Sequence, residues 1–406
     1  MAAPGHSPFA ALRHRNFRLF WTGQTISLIG TWMQSLAQGW LVLQLTNSAF
    51  WVGLVSFLGS LPILLVALPA GVFVDRANKR RLVTICQALM LAEAALLTTL
   101  TALHVVRAWQ VAVLAALMGL FSSVEIPARQ SMIVELVGRD DLTNAIALNS
   151  SAFNASRILG PAVAGFLVAH VGLAVCFGLN ALSYVAVLIG LRLMDLPARE
   201  IPPAQAHPWE QLKEGLRFVR SEPRVRALVT CTGMLSLFGF PYVVLLPVFA
   251  RDVLHKGADG LGVMSAVVGL GALASAFGLA AFGPRLGRGR LVTRASPAFG
   301  LAVAAFAVSR WYWLALLTLA ISGFCMVLYN AATNTLLQSL VPDAMRGRVM
   351  SLWATVFVGF APIGALAAGW LAGHVGPSAA VAAGGILAAL AALLIWRRTP
   401  ALGAMR

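Results

Sequence analysis

Long apolar segments alternate with short polar segments along almost the whole chain. Most apolar segments reach the roughly 20 residues that a helix needs to cross a bilayer. Charged residues, glycine and proline bound them, as is typical of helix ends and loops. They lie at 17–44, 50–74, 82–103, 109–134, 143–169, 173–193, 226–250, 260–283, 290–309, 311–337, 348–373 and 378–396. The pattern predicts an all-α membrane protein with twelve transmembrane helices.

The composition supports a membrane protein and argues against several other classes. Of 406 residues, 59% are hydrophobic and 11% are charged, whereas about 25% of a soluble domain is charged. The four cysteines lie in separate apolar segments, which gives neither a disulfide framework nor a metal-ligand spacing. No lysine follows a glycine, as a phosphate-binding loop requires. We therefore expect no enzyme activity, no metal and no cofactor.

Basic residues are concentrated in alternate loops. If both termini are cytoplasmic, the inner loops and termini hold most of the 30 Lys and Arg residues, while the outer loops hold only Arg107, Arg251, Lys256 and Arg310. Such a bias sets orientation in a bacterial inner membrane. It also accounts for the net charge of +16 without a nucleic-acid partner. We expect a multi-pass protein with a retained first span and both termini inside.

The two halves of the chain repeat one another weakly. The segment GVFVDRANKRRL (71–82) aligns with AAFGPRLGRGRL (280–291), and ELVGRDDLTNAIAL (135–148) aligns with SLVPDAMRGRVMSL (339–352). The second alignment places Gly160 on Gly364. Internal symmetry of this kind is a feature of transporters. It predicts six-helix bundles at 1–193 and 224–406, joined by a cytoplasmic linker at 194–223 whose amphipathic helix lies on the inner membrane surface or binds a partner.

The loop between the second and third spans is unusually rich in charge for this chain. Twelve spans in two repeats with this loop resemble the major facilitator superfamily. The family's loop motif is met by Gly71, Phe73, Asp75, Arg76, Lys79, Arg80 and Leu82. Val74 and Asn78 depart from it, and Pro284 replaces the acidic residue in the second half.

The resemblance implies that this loop is a gate. Asp75 would meet the N-terminus of the eleventh span, where the helix dipole favours an anion. Arg76 would pair with an acid at the inner end of the fourth span, either Glu135 or Glu125. We expect Asp75→Asn to leave the protein inserted and to reduce transport. The alternative is a signal that only orients insertion, which leaves Asp75 unexplained.

The fifth span carries a second motif. LNSSAFNASRILGPAVAG contains Gly160, Pro161 and Gly165, and it is similar to the exporter signature of the superfamily, although Ala164 stands where a glycine is usual. The surrounding sequence resembles the enterobactin-exporter-like branch, also called transmembrane secretion effectors. That branch includes siderophore, macrolide and metal-resistance exporters. A Gly-Pro pair is also compatible with a simple packing kink.

Polar residues follow one face of the first span and recur on the tenth. A polar stripe within hydrocarbon must face protein or water. The resemblance implies that the first and fourth helices of each half line a central cavity. The alternative is hydrogen bonding between helices without a ligand. The candidates for the substrate cavity are Gln24, Thr31, Gln34, Gln38, Tyr329, Asn330 and Asn334.

Away from the ends of the predicted spans, four charged residues remain: Glu93, Glu125, Arg129 and Arg157. Each is costly in lipid unless it is paired or hydrated. Glu125 and Arg129 are four residues apart on one helix and can pair locally. Either Glu125 or Glu93 could take up and release a proton during transport, or the four could form a static ion-pair network. For Glu93 the static interpretation is favoured, and for Glu125 the two are balanced.

Together these patterns predict a monomeric secondary active transporter. We expect it to export a small organic molecule such as a siderophore, a macrolide or another drug-like compound, by proton antiport with alternating access. The alternatives are a proton-coupled importer of the same fold, which the Gly-Pro motif argues against, and a membrane sensor or scaffold without transport, which the polar stripes argue against. The expected partners are the bilayer, the cargo and protons.

Overall fold

The computed structural model describes residues 9–75, 77–195, 208–282, 287–403 and 405. Contacts group the chain into two compact units. The first contains residues 1–41 and 61–205, and the second contains residues 42–60 and 206–406. The grouping is based on contacts and not on the sequence repeat. It therefore does not test the predicted six-helix bundles at 1–193 and 224–406, which remain a prediction.

The first unit is built from long helices joined by short turns. Asn78 starts α3, because its side chain accepts a hydrogen bond from the Arg81 amide at 3.0 Å, which satisfies a donor of the first turn. Within the unit, α3 packs between α4 and α6. The helices of this part of the chain are α1 (Arg15–Thr46), α2 (Ala49–Asp75), α3 (Lys79–Ala102), α4 (Ala108–Val137), α5 (Leu142–His170) and α6 (Leu173–Leu193). The end of α1 and the start of α2, residues 42–60, group with the second unit.

The larger part of the second unit starts with the linker helix α7 (Pro208–Ser221), which packs against α13 (Asp343–Val375). Glu214 of α7 forms an ion pair with Arg348 of α13 at 2.5 Å. The helix predicted in the linker is thus present, and its place on the inner membrane surface remains a prediction. The other helices are α8 (Pro223–Met234), α9 (Tyr242–Val248), α10 (Gly257–Phe282), α11 (Arg288–Val308), α12 (Tyr312–Leu340), α13 (Asp343–Val375) and α14 (Pro377–Arg398).

The seventh predicted span is one continuous helical segment with two irregular turns. Helices α8 and α9 are joined through π-helical residues at Leu235–Gly239, and a second π-helical turn follows at Phe249–Val253. Proline removes a backbone donor and crowds the preceding turn, and π turns are one way for a helix to accommodate such a defect. Pro241 and Pro247 lie beside these turns.

Eleven of the described helical segments are long and apolar enough to cross a membrane. The 32-residue helix α1 is the predicted first span, and it is not among the eleven. Its glutamines, serines and threonines make it less apolar than the rest. The exposed surface is apolar, with Leu182 and Trp313 65% and 66% exposed, whereas Gln34, Glu93 and Asn180 are buried. Apolar side chains outside and polar side chains inside are the reverse of a water-soluble protein, and a surrounding lipid bilayer favours this distribution.

The same close contacts recur in both units, as the predicted repeat requires. A side chain on Gly160 would meet the carbonyl oxygen of Ile29 at 2.8 Å, and one on Gly364 would collide with the carbonyl oxygen of Leu237. The turns after α5 and α13 also match, because Gly172 and Gly376 have φ values of 112° and 87°, which favour glycine. Likewise, α11 packs against α12 and α14 as α3 packs against α4 and α6.

Candidate functional site: a buried polar chain in the first unit

The polar stripe of α1 meets α3 and α6 at Gln34. The Gln34 Nε2 atom donates a hydrogen bond to Glu93 Oε2 of α3 at 3.0 Å. The Asn180 Nδ2 atom of α6 donates to Gln34 Oε1 at 2.7 Å. All three side chains are buried. One amide therefore links a carboxyl group to a second amide across three helices.

Two small features position this chain. Gly30 lies one turn before Gln34, and a side chain there would be 2.6 Å from the Ser183 hydroxyl and would collide with Asn180. The absence of a side chain on Gly30 lets α6 approach α1. Ser183 donates to Asn180 Oδ1 at 3.1 Å and fixes the orientation of that amide. The geometry therefore depends on a glycine as much as on the polar residues.

Glu93 has an incomplete set of partners. It is 4% exposed, and its Oε1 atom has no hydrogen-bond partner among the described residues. No Lys, Arg or His in the described ranges forms an ion pair with it. A buried carboxylate without a cation is unfavourable. Glu93 is thus the intramembrane carboxyl group that lacks a compensating charge in the described structure.

Glu125 is in a different situation, because it is paired. Arg129 Nε lies 2.9 Å from Glu125 Oε1 within α4, and Gln87 Nε2 of α3 donates to the same oxygen at 3.1 Å. All three side chains are buried. This arrangement fits the second alternative of the sequence analysis, in which Glu125 and Arg129 form a static ion pair. Arg157 is half-buried on α5.

The remaining candidates of α1 differ in how fully their polar atoms are hydrogen-bonded. The Thr31 hydroxyl donates to the Ser27 carbonyl at 2.9 Å and lies 3.3 Å from the Tyr184 hydroxyl of α6. Gln38 makes one long hydrogen bond of 3.5 Å to the Val111 carbonyl. Gln24 is buried, and its Oε1 atom has no partner among the described residues. The polar stripe of α1 thus contains side chains whose hydrogen bonds are made within the described residues and side chains with an acceptor that has no partner there.

The candidates of α12 lie in the second unit. The buried Tyr329 hydroxyl is 2.9 Å from Thr232 Oγ1 of α8, and Trp353 Nε1 of α13 donates to the same threonine oxygen at 3.1 Å. Asn334 accepts a hydrogen bond from Gln338 at 2.6 Å. Asn330 is half-buried, and its Oδ1 atom has no partner within the described residues. The Thr232 hydroxyl therefore connects α8, α12 and α13, whereas Asn330 keeps an acceptor without a partner in the described part of the chain.

The predicted gating loop is described only in part. Arg76 lies outside the described residues, and of Gly71 and Asp75 only the helical backbone is described. Lys79 Nζ lies 2.6 Å from Glu135 Oε1 of α4. Glu135, one of the two acids predicted to pair with Arg76, thus has an ion pair with Lys79. Arg80 donates to the Arg192 carbonyl at 3.2 Å. These contacts connect the start of α3 to the ends of α4 and α6.

The exporter-like motif of α5 packs directly on α1. Gly160, Pro161 and Gly165 are buried. A side chain on Gly160 would lie 2.6 Å from Trp32 Cβ and 3.2 Å from the Met33 amide nitrogen. The motif therefore permits close packing beside Gln34, and its role in export remains a prediction.

Sequence analysis missed several residues of these clusters. Asn180, Ser183 and Tyr184 are polar residues at helical spacing within the apolar span of α6, so a signal was present. Thr232 and Trp353 were not singled out, because their segments contain only scattered serine and threonine residues, which also bond to their own helix backbone. Their roles depend on contacts between distant parts of the chain.

Comparison with known proteins decides the family. The sequence profile of the transmembrane secretion effector family matches residues 6–404. The chain belongs to this family. It is 26% identical over 395 residues to the enterobactin exporter of Citrobacter koseri, which covers 94% of this chain and 91% of that protein. It is 28% identical over 248 residues to the staphyloferrin A transporter of Staphylococcus aureus, which covers 61% of this chain and 62% of that protein.

Solved structures agree on the fold. A bacterial homologue of the iron transporter ferroportin, in an inward-facing state, superposes with a TM-score of 0.74 at 17% identity, covering 96% of this chain and 99% of that one. The peptide transporter POT in complex with sulfate gives 0.74 at 15% identity, covering 99% and 97%. The protein therefore has the major facilitator fold predicted from its motifs. It is a multi-pass membrane transporter of the bacterial inner membrane and not an enzyme.

Proposed function

We propose that this protein exports a siderophore-type molecule from the bacterial cytoplasm. The main support is similarity over nearly the whole chain to proteins named as enterobactin exporters, including one of Escherichia coli at 26% identity over 95% of this chain. A transporter named for a second siderophore, staphyloferrin A, matches as well. These names favour export of a siderophore over import and over a sensor without transport.

We propose proton antiport with Glu93 as the proton-carrying group. The observation that carries this step is the buried Glu93 carboxyl with its one hydrogen bond from Gln34 and no ion pair in the described residues. A proton can bind at Oε1 without breaking the bond that Oε2 accepts from Gln34. Binding the proton removes an uncompensated buried charge, and hydration of the site favours its release.

Gln34 connects this proton to the predicted cavity helix. It lies on α1, and it holds both Glu93 of α3 and Asn180 of α6. A change of charge at Glu93 alters the strength of the hydrogen bond from Gln34, because hydrogen bonds to charged groups are stronger. In our proposal the proton state of Glu93 thereby biases the position of α1 during alternating access. Glu125 is the second candidate, although Arg129 already compensates its charge.

The coupling proposal is tested with purified protein in liposomes that contain a pH-sensitive dye. Enterobactin and staphyloferrin A serve as the two cargo probes. We expect Glu93→Gln to uncouple proton movement from cargo movement, because an amide cannot release a proton. Glu222→Gln is the control, since it removes a carboxyl group from an exposed ion pair with Arg224 at the start of α8, to which no transport role is assigned. Unchanged coupling in Glu93→Gln together with loss in Glu125→Gln would transfer the role to Glu125.

We propose that the cargo contacts the polar side chains of α1 and α12. Gln24 and Asn330 support this most, because each has an acceptor atom without a partner in the described residues. Gln38, Thr31, Tyr329 and Asn334 remain further candidates. Substitution of Gln24 or Asn330 by leucine is expected to raise the KM for the cargo. The gating role of Asp75 and Arg76, the monomeric state and the cytoplasmic termini are part of the same proposal.

A further inference from the structure

A groove between α11 and α12 combines basic and apolar surfaces. Its volume is about 330 Å³, and Arg290, Arg294, Leu291, Ala298, Cys325 and Leu328 line it. Arg290 and Arg294 are four residues apart on α11, and both are exposed. Residues at this spacing share one face of a helix. The two guanidinium groups therefore project from the same side at one end of the groove.

These arginines lack acidic partners. Neither forms an ion pair or a side-chain hydrogen bond within the described residues. Helices α11, α12 and α14 contain no Asp or Glu, and α12 and α14 are the helices that pack most extensively on α11. The basic end of the groove thus has an uncompensated positive charge.

The other end of the groove continues into an apolar surface. Leu301 follows Arg294 and Ala298 on the same face of α11 and is 58% exposed. Phe324 and Ile321 continue the face of α12 that carries Cys325 and Leu328, and both are exposed. An exposed apolar surface on a membrane-spanning helix is suited to lipid chains. The groove therefore changes from cationic to apolar along the helix axis.

Contacts with the C-terminal segment locate the basic end near the end of the bundle. Trp396 Nε1 of α14 donates to Ser296 Oγ at 2.7 Å, and the Gly289 amide donates to the Met405 carbonyl at 3.1 Å. Arg397 and Arg398 directly follow Trp396 and are exposed. Several arginines thus gather at one end of α11 and α14. Charged side chains at the ends of membrane spans are placed to meet lipid headgroups.

We propose that this groove binds an anionic phospholipid. Arg290 and Arg294 hold the headgroup phosphate, because the planar guanidinium group suits bidentate hydrogen bonds to phosphate. An acyl chain lies along Leu291, Ala298 and Leu328. Basic pockets between transmembrane helices are suited to anionic headgroups. The inference is independent of the cargo and of the coupling residue.

The test measures lipid retained by the purified full-length protein, using native mass spectrometry after extraction from phosphatidylglycerol nanodiscs. Phosphatidylcholine with the same acyl chains is the neutral comparison. We expect the wild type to retain phosphatidylglycerol preferentially. The double variant Arg290→Gln/Arg294→Gln is expected to retain it about thirtyfold less, since each of the two arginines near the surface contributes on the order of 1 kcal/mol.

The matched control is the double variant Arg397→Gln/Arg398→Gln, which removes the same charge from the same end of the bundle. It is expected to behave as the wild type. Equal retention in all three proteins overturns the proposal, as does an equal loss in both double variants. Displacement of the lipid by inorganic phosphate alone also overturns it, because it indicates a simple anion site. If the first double variant does not fold, the wild-type preference decides, and absence of a preference contradicts the proposal.

Discussion

Gln34 is the residue on which the buried polar chain depends. Its amide satisfies Glu93 with its donor and Asn180 with its acceptor. A single hydrophobic substitution at this position therefore leaves two buried groups without this partner. Each unsatisfied buried group costs about 1–3 kcal/mol, so Gln34 contributes to stability as well as to the proposed coupling.

We expect Gln34→Leu to lower the free energy of unfolding by about 2 kcal/mol or more. Gln38→Leu is the matched control, because Gln38 is one turn away on the same helix and makes only a 3.5 Å bond to the Val111 carbonyl. It is expected to cost less than about 1 kcal/mol. Thermal unfolding of both variants in detergent measures the difference. Equal destabilisation of the two variants would show that the hydrogen bonds of Gln34 to Glu93 and Asn180 contribute no more to stability than the single long bond of Gln38.

The residue scale also shows the limit of sequence reasoning. The stripe of α1 was predicted from helical spacing, and the pairing of Glu125 with Arg129 was anticipated because the two are four residues apart. The partner of Glu93 was not predicted, since Gln34 precedes it by 59 positions. Periodicity tells which side of a helix is polar, but it does not tell which helix faces that side. The static interpretation favoured for Glu93 therefore rested on its helix alone.

At the element scale, the helices were predictable because lipid imposes a long apolar length on each span. The predicted segments correspond to helices throughout the described ranges, with ends that differ by several residues. The π-helical turns of the seventh span were not predicted, although Pro241 and Pro247 marked the region. Several backbone solutions accommodate a proline, and packing against neighbouring helices selects one. Ser236 of the first π turn, for example, donates to the Phe357 carbonyl at 2.6 Å.

Helix packing at Gly364 gives a prediction at this scale. A side chain there would lie 2.8 Å from Pro241 Cγ and would collide with the Leu237 carbonyl oxygen. We expect Gly364→Ala to destabilise the protein by about 1–3 kcal/mol, as overpacking usually does. Thermal unfolding measures this cost.

Gly373 provides the control on the same helix, because no atom lies within 4 Å of a side chain built there. We expect Gly373→Ala to leave stability unchanged or to raise it by up to about 1 kcal/mol, since alanine favours helix more than glycine does. If the two substitutions had the same effect, the close approach of α13 to the first π turn would have no energetic importance.

At the scale of the whole molecule, the contact grouping differs from the duplication in sequence. Residues 42–60 belong with the second unit. Arg251 supplies part of the reason, because it donates to the Leu43 carbonyl at 3.0 Å and to Asn47 Oδ1 at 2.9 Å. The repeat in the sequence reflects a duplicated segment of chain. The two contact units reflect which residues touch in this structure. The boundaries of the sequence repeat and of the contact units therefore need not coincide.

The predicted orientation in the membrane rests on the distribution of basic residues. We expect an alkaline phosphatase fusion at the C-terminus to be inactive, and one inserted near Lys256 in a predicted outer loop to be active. A green fluorescent protein fusion at each position should show the opposite pattern. Activity of phosphatase at the C-terminus would contradict the predicted topology and also the cytoplasmic side assigned to the gating loop.

In our proposal, protons moving inward through the first unit drive the outward movement of the siderophore. The most direct measurement uses wild-type protein in liposomes whose interior is more acidic than the bath, with the siderophore added outside. The account predicts that the siderophore accumulates above its bath concentration while the interior becomes more alkaline, and that an ionophore that collapses the gradient abolishes both. Accumulation without proton movement, or uptake that is unaffected by collapse of the gradient, would contradict it.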